Sequence, residues 1–163
     1  MSFERLMTKE SIHAFFVYGT LKRNHLRSGL WPKKPVCIHP ATVAGDLFDL
    51  GPYPAACDGN GTILGEVWEI HPGDMQETCT VLDRIEGYDP NETSSEYIRV
   101  AVKATIYDES GQSTTIAAWM YHAAAPERLK FVRKISASQH FYERFVASWP
   151  DSLSRVPSSF AEE

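Results

Sequence analysis

Apolar and polar side chains alternate most cleanly over residues 97–107. Ile98, Val100, Val102, Ala104 and Ile106 share one side there, and Arg99, Lys103 and Thr105 the other. A period of two predicts a strand with one buried and one wet face. Four more strands are predicted. Residues 13–18 are aromatic and β-branched and halt at Gly19; residues 42–50 are broken by Gly45 and stopped by Gly51-Pro52. Residues 64–70 alternate through Glu66-Val67-Trp68-Glu69-Ile70, and residues 114–122 follow the turn-rich Asp108-Glu109-Ser110-Gly111, which predicts a hairpin.

Elsewhere the period lengthens. Met75, Cys79, Leu82 and Ile85 recur at steps of four, three and three, which predicts a helix over 75–86. Asp74 and Glu77 have capping-box spacing after Pro72-Gly73, and Gly87 serves as the stop. A second helix is expected from about Ser136, with Gln139 three residues on, burying Phe141, Phe145 and Trp149 before Pro150. A short helical turn over 24–28, closed by Gly29, is a weaker signal. Strands dominate, and the late hairpin does not fit a parallel βαβ repeat. The expectation is an α+β domain, a curved mixed sheet or open barrel covered by one or two helices. It is a single domain over 1–163, with its core at about 13–149 and a serine-rich tail at 150–163.

Length and composition support that frame: 163 residues suit one domain, and 43% hydrophobic with 23% charged residues is ordinary for a globular chain. No apolar run approaches the roughly 20 residues that span a bilayer, so no membrane partner is expected. The first eleven residues carry Glu4, Arg5, Lys9 and Glu10 and read as no secretory signal. Cys37, Cys57 and Cys79 are odd in number and form no C-x-x-C pair, and the six histidines stand singly. Neither a disulfide scaffold nor a metal site is expected, and the compartment is read as a reducing cytoplasm. Net charge is −5, distributed as +5 over residues 1–45, −11 over 46–98 and +3 over 126–145. The acidic centre would repel a phosphate backbone, so nucleic acid is not an expected partner.

The common catalytic templates are missing: no G-x-S-x-G, H-E-x-x-H, Walker loop or G-x-G-x-x-G after a strand. Three features remain. Tyr18-Gly19-Thr20-Leu21 directly follows a strand, as an ordinary turn or as a loop presenting backbone N–H groups to a ligand. Glu86 falls in the last helical turn, where the dipole disfavours a carboxylate and raises its pKa; it is an exposed helix-end acid or a general base. Gly51-Pro52-Tyr53-Pro54-Ala55-Ala56 is a stiff bend, a plain loop or a rigid pocket wall. Tyr97 and Tyr121 lie on neighbouring strands and serve as core or cavity tyrosines. Cys57 is a candidate nucleophile with no designated histidine.

Taken in order, Phe16-Val17-Tyr18-Gly19-Thr20-Leu21-Lys22, Gly45 through Ala55, Gly65-Glu66-Val67-Trp68, Leu82-Asp83-Arg84-Ile85-Glu86-Gly87-Tyr88 and Tyr97-Ile98-Arg99 resemble the γ-glutamylcyclotransferase-like family. That family includes the γ-glutamylamine cyclotransferases and the avirulence-induced-gene-like proteins of plants. The resemblance covers roughly residues 14–122. It implies a small mixed β-barrel with flanking α-helices and an enzyme that cyclises a γ-glutamyl amine or peptide to 5-oxoproline, needing no cofactor or metal. It further implies that Tyr18, Gly19, Thr20 and Leu21 hold the γ-glutamyl part and that Glu86 is the proton acceptor. Tyr53 and Pro54 would form pocket wall, with Tyr97 a hydrogen-bonding side chain and Tyr121 an aromatic on the final strand.

In that reading the Gly19–Leu21 amides stabilise either the oxyanion or the substrate's α-carboxylate. Lys22, Arg23 and Arg27 would attract that carboxylate at long range. Two competing readings stand beside it: a non-catalytic binding module on the same scaffold, and a Cys57-dependent hydrolase. The polar loop 89–96 is longer than in the tightest family members, and the Trp31-Pro32-Lys33-Lys34-Pro35 segment has no counterpart in the family pattern. The loop is expected over the pocket mouth, where it would alter which leaving group fits.

Overall fold

The computed structural model describes residues 12–154, so the N-terminal reading and the tail from residue 155 lie outside the described residues. Strand β1 (Ala14–Val17) is buried along its whole length. It pairs antiparallel with β3 (Pro54–Glu69) and parallel with β5 (Ser113–Ala123). Both of its faces are buried, which explains the unbroken Ala-Phe-Phe-Val run. Phe16 and Ala14 enter one core cluster with Val43, Leu47, Met120 and Trp149. Phe15 and Val17 enter the other, with Trp68, Leu82, Tyr97, Trp119 and Tyr121.

The predicted late hairpin is present, β4 (Tyr97–Tyr107) running antiparallel to β5 from Tyr97↔Ala123 to Tyr107↔Ser113. Asp108 closes it by accepting from the Ser110 and Gln112 N–H groups. Strand β2 (Cys37–Asp49) forms a long antiparallel pair with β3, kinked by a bulge at Gly45. A Cβ at Gly45 would lie 2.9 Å from the Cys57 carbonyl oxygen. Both strands are longer than predicted, and Pro54, Ala55 and Ala56 belong to β3 and not to the preceding bend.

The architecture corrects the barrel expectation. The strands form a six-stranded mixed sheet in the order β3-β1-β5-β4-β2-β6, with β2 also against β3; β6 (Arg133–Lys134) ends the order. A barrel requires evenly staggered ladders around the whole ring. Here β1 meets β5 at Phe15↔Trp119 alone, and β2 meets β4 only at Ala41↔Ile106 and Thr42↔Thr105. The long strands β2 and β3 therefore dominate a sheet flanked by a helix.

That helix, α1 (Met75–Ile85), buries Thr78 and Leu82. The predicted capping box does not form. A 3-10 turn over Pro72–Asp74 leads in, capped by His71 Nδ1, which accepts from the Gly73 N–H at 3.1 Å. The stop is as expected: Gly87 has φ +67°, its N–H bonds the Arg84 carbonyl, and the Tyr88 N–H bonds the Asp83 carbonyl. The helical turn expected over 24–28 is displaced: a 3-10 turn forms at Ser28–Leu30, and Gly29 lies inside it instead of closing it.

The second predicted helix is a second correction. Residues from 136 to 149 hold a two-stranded hairpin, β7 (Gln139–Phe141) and β8 (Arg144–Val146), turned through Tyr142 at φ 54°. Phe141, Phe145 and Trp149 mimic a helical stripe by their spacing of four. Tertiary pairing overrides it: Ala147 exchanges backbone bonds with Thr62 and Leu64, Val146 and Trp149 are fully buried, and Phe145 points outward. Among the described residues, no helix is long and apolar enough to cross a membrane.

Candidate active site

The turn after β1 is fixed by its carbonyls. That of Gly19 accepts from the Lys22 N–H at 3.1 Å, and that of Thr20 from the Arg27 N–H at 2.8 Å. In a trans peptide the following N–H points opposite to the carbonyl, so the Thr20 and Leu21 amides are turned away from these bonds. Gly19 is required by close approach, since a Cβ there would lie 2.8 Å from Pro54 Cδ. The start of β3 is thereby pressed onto the turn. Trp31 braces the turn, donating from Nε1 to the Leu21 carbonyl and stacking on Trp68 at 4.2 Å.

A cavity of about 180 Å³ opens between these elements. Tyr18, Gly19, Thr20, Leu21, Tyr53, Pro54, Glu86, Tyr97 and Tyr121 all line it, together with Arg27 and Glu96. Residues scattered over a hundred positions thus share one hollow, with Glu86 delivered by the end of α1.

Glu86 is the half-buried carboxyl of this space, and its pKa is pushed up to about 7. Burial is the main cause, Arg27 opposes it, and Glu96 adds to it. Enclosure therefore outweighs every neighbouring charge. The tyrosines are mostly committed to the scaffold. Tyr18 donates to the Tyr121 carbonyl at 2.5 Å and accepts from the Ala56 N–H at 3.2 Å. Tyr97 donates to the Pro54 carbonyl at 2.8 Å, keeping lone pairs free to accept from a ligand. Tyr121 donates to Asp83 at 2.6 Å, beside the Arg99–Asp83 ion pair. Burial raises all three phenol pKa values well above the ordinary range, so they stay neutral.

The basic stretch behaves differently from its expected role. Lys22 is buried, donates to the Trp149 carbonyl at 2.5 Å and has its pKa lowered by burial to about 8. It anchors the turn to the core and does not face solvent as a steering charge. Of Lys22, Arg23 and Arg27, only Arg27 lines the cavity. Of the 89–96 loop, only Glu96 does, accepting from the Tyr53 hydroxyl at 3.1 Å. Glu96 was not among the expected site residues; its place next to Tyr97 is the sequence feature that could have pointed to it. Cys57 lies outside the cavity with its thiol pKa raised by burial, which leaves the hydrolase reading without a nucleophile in the site.

The family described as gamma-glutamyl cyclotransferase, AIG2-like matches residues 15–142. No curated protein matches the sequence. Among solved structures, YkqA from Bacillus subtilis is similar at 23% identity with a TM-score of 0.51, covering 78% of this chain. The chain spans 39% of the length of YkqA. Protein ytfP from Escherichia coli matches at 26% identity and a TM-score of 0.49, over 85% of this chain and 96% of that one. A structure titled gamma-glutamyl cyclotransferase matches at 13% identity and a TM-score of 0.39, over 91% of this chain and 95% of that one.

Proposed function

We propose, from the premise that the chain belongs to the gamma-glutamyl cyclotransferase, AIG2-like family, that it cyclises a γ-glutamyl amine or peptide to 5-oxoproline with Glu86 carrying the protons. The observation that carries this reading is a carboxyl with a pKa near neutrality sharing a small cavity with the turn at residues 18–21.

The substrate's α-ammonium has a pKa of roughly 7.7–8.0 and cannot attack until it loses a proton. Passing that proton to an ordinary glutamate at 4.5 would be uphill by about 5 kcal/mol; passing it to Glu86 at about 7 costs only about 1.4 kcal/mol. Burial thus removes roughly 3 kcal/mol from the proton-transfer step, a gain tied to placing the carboxyl in the cavity. The freed amine attacks the γ-carbonyl, closing the five-membered ring, and the bond to the leaving nitrogen breaks. Two protons leave the α-nitrogen in all, and both end on the departing amine as RNH₃⁺, so Glu86 finishes as it began. No water is consumed.

The remaining lining residues bind and orient. The Thr20 and Leu21 amides, turned from their own carbonyl bonds, receive an anionic oxygen of the γ-glutamyl part. Arg27 supplies the one cationic side chain that the described residues bring to the lining, for the α-carboxylate. Tyr53, Pro54 and Tyr97 form the wall that holds the bent conformer, which supplies rate by proximity. The proposal includes a reducing, cytoplasmic setting, where three free thiols persist.

Incubation with a panel of γ-glutamyl amines and peptides, monitoring 5-oxoproline, tests the reading. Glu86→Gln keeps the shape and removes the base, and should lower kcat by roughly 10²-fold or more. Absence of turnover across the panel by the wild type would favour a non-catalytic binding module.

A further inference from the structure

Away from the cavity, the beginning of β2 and the end of β3 bring three metal-ligating atoms together. Cys37 and His39 are two apart on one strand and so share a face, and Glu69 is the register partner of Cys37 across the hairpin. Cys37 Sγ lies 2.6 Å from Glu69 Oε2 and 3.1 Å from His39 Nε2, and that nitrogen lies 2.8 Å from the same Oε2. All three side chains are half-buried, and none lines the active-site cavity.

We propose that Cys37, His39 and Glu69 form a binding site for one zinc-class divalent cation. One thiolate, one imidazole and one carboxylate make a borderline donor set that suits zinc; calcium and magnesium prefer all-oxygen sites. Zinc bonds of about 2.0–2.3 Å at tetrahedral angles put ligand atoms roughly 3.4–3.6 Å apart. The present separations are shorter by about half an ångström to one ångström, a spread that small side-chain rotations supply on a fixed hairpin. His39 and Glu69 side chains are 31% and 33% exposed, so a cation has a path in and a water can complete the fourth position. Binding exchanges the thiol proton for the metal, Cys–SH plus Zn²⁺ giving Cys–S–Zn⁺ and a released H⁺. It would also clip the two strands at the end where the Trp31 segment enters β2. The site departs from the expectation of no metal.

Cobalt is the probe. Titrating the metal-free full chain with Co²⁺ should produce, at one equivalent, a near-ultraviolet thiolate-to-cobalt charge-transfer band with the strong visible bands of tetrahedral Co²⁺, and Zn²⁺ should abolish both. Cys37→Ser should remove the charge-transfer band, whereas a Cys57→Ser, Cys79→Ser double variant should keep it. His39→Gln and Glu69→Gln, which leave the thiol in place, should each weaken the metal by about tenfold or more. No band in the wild type, a band retained by Cys37→Ser, or unchanged affinity in both remaining variants would overturn the assignment.

Discussion

Gly19→Ala probes the packing that shapes the active-site cavity. Its Cβ would stand 2.8 Å from Pro54 Cδ and 2.9 Å from Cγ, where ordinary contact begins near 3.4 Å, so the ring or the turn must yield by about 0.6 Å. Pro54 has little freedom to do so. It is the first residue of β3, in register with Asp49, and its carbonyl holds the Tyr97 hydroxyl. Overpacking of this kind costs about 1–3 kcal/mol. Alanine returns about 0.4–1 kcal/mol by restricting the unfolded chain, because Gly19 does not occupy the left-handed region. At mid-range the penalty wins, with a net loss of about 1.3 kcal/mol, about 2.6 kcal/mol at most, and a fall in Tm of roughly 3–8 °C. Displaced cavity walls should also lower kcat/KM by about tenfold or more. Thermal unfolding and 5-oxoproline formation measure the two effects. A variant as stable as the wild type, or more so, with undiminished kcat/KM would refute the claim that this contact sets the cavity.

The other perturbations have definite signs. Glu86 has a folded pKa raised above its unfolded value, so its contribution to stability is full below about 4.5 and lost as pH rises through about 7. Glu86→Gln should therefore match the wild type at pH 4.5 and exceed it by up to about 3 kcal/mol at pH 8 while losing activity, a contrast readable in urea denaturation at both pH values. Lys22 is shifted the other way, to about 8 from 10.5, so its unfolded form holds more protons between those values. Stability of the wild type relative to Lys22→Met should then rise across pH 8 to 10.5, and a flat difference would contradict its burial as a cation. Tyr121→Phe removes a hydroxyl bonded to Asp83 and should lower stability by about 1–2 kcal/mol; an unchanged denaturation midpoint would show that bond to be inert.

Local chemistry explains what the sequence could reveal. The β4–β5 hairpin and α1 carry their own periods and stop signals, Asp108 through Gly111 and Gly87, so their bounds were legible almost to the residue. The same logic misled over residues 136–149, where a spacing of four among aromatics matched a helix. Bonds from Ala147 to Thr62 and Leu64, more than 80 positions away, select strands there. The barrel expectation failed similarly, because nothing local announces that β1 and β5 share a single register pair. All nine residues singled out for the site line the cavity, but the resemblance to a family brought them together, and spacing alone left each with two readings. Lys22 reads in the sequence as a steering charge, because nothing local announces the Trp149 carbonyl that holds it in the core. Cys37 and His39 carried no signal without Glu69, which only the hairpin register supplies.

The central claim is that the half-buried Glu86, titrating near neutrality, is the base. Carbon-13 labelling of the glutamate carboxyls, with the Glu86 resonance assigned by its loss in Glu86→Gln, gives that titration directly, beside the pH dependence of kcat/KM on a γ-glutamyl substrate. The account predicts a carboxyl midpoint of about 7. It also predicts an acid limb of kcat/KM breaking at the same pH and falling roughly 100-fold by about pH 5. A midpoint at the ordinary 4.5, or a rate that holds level down to about pH 5, would contradict it.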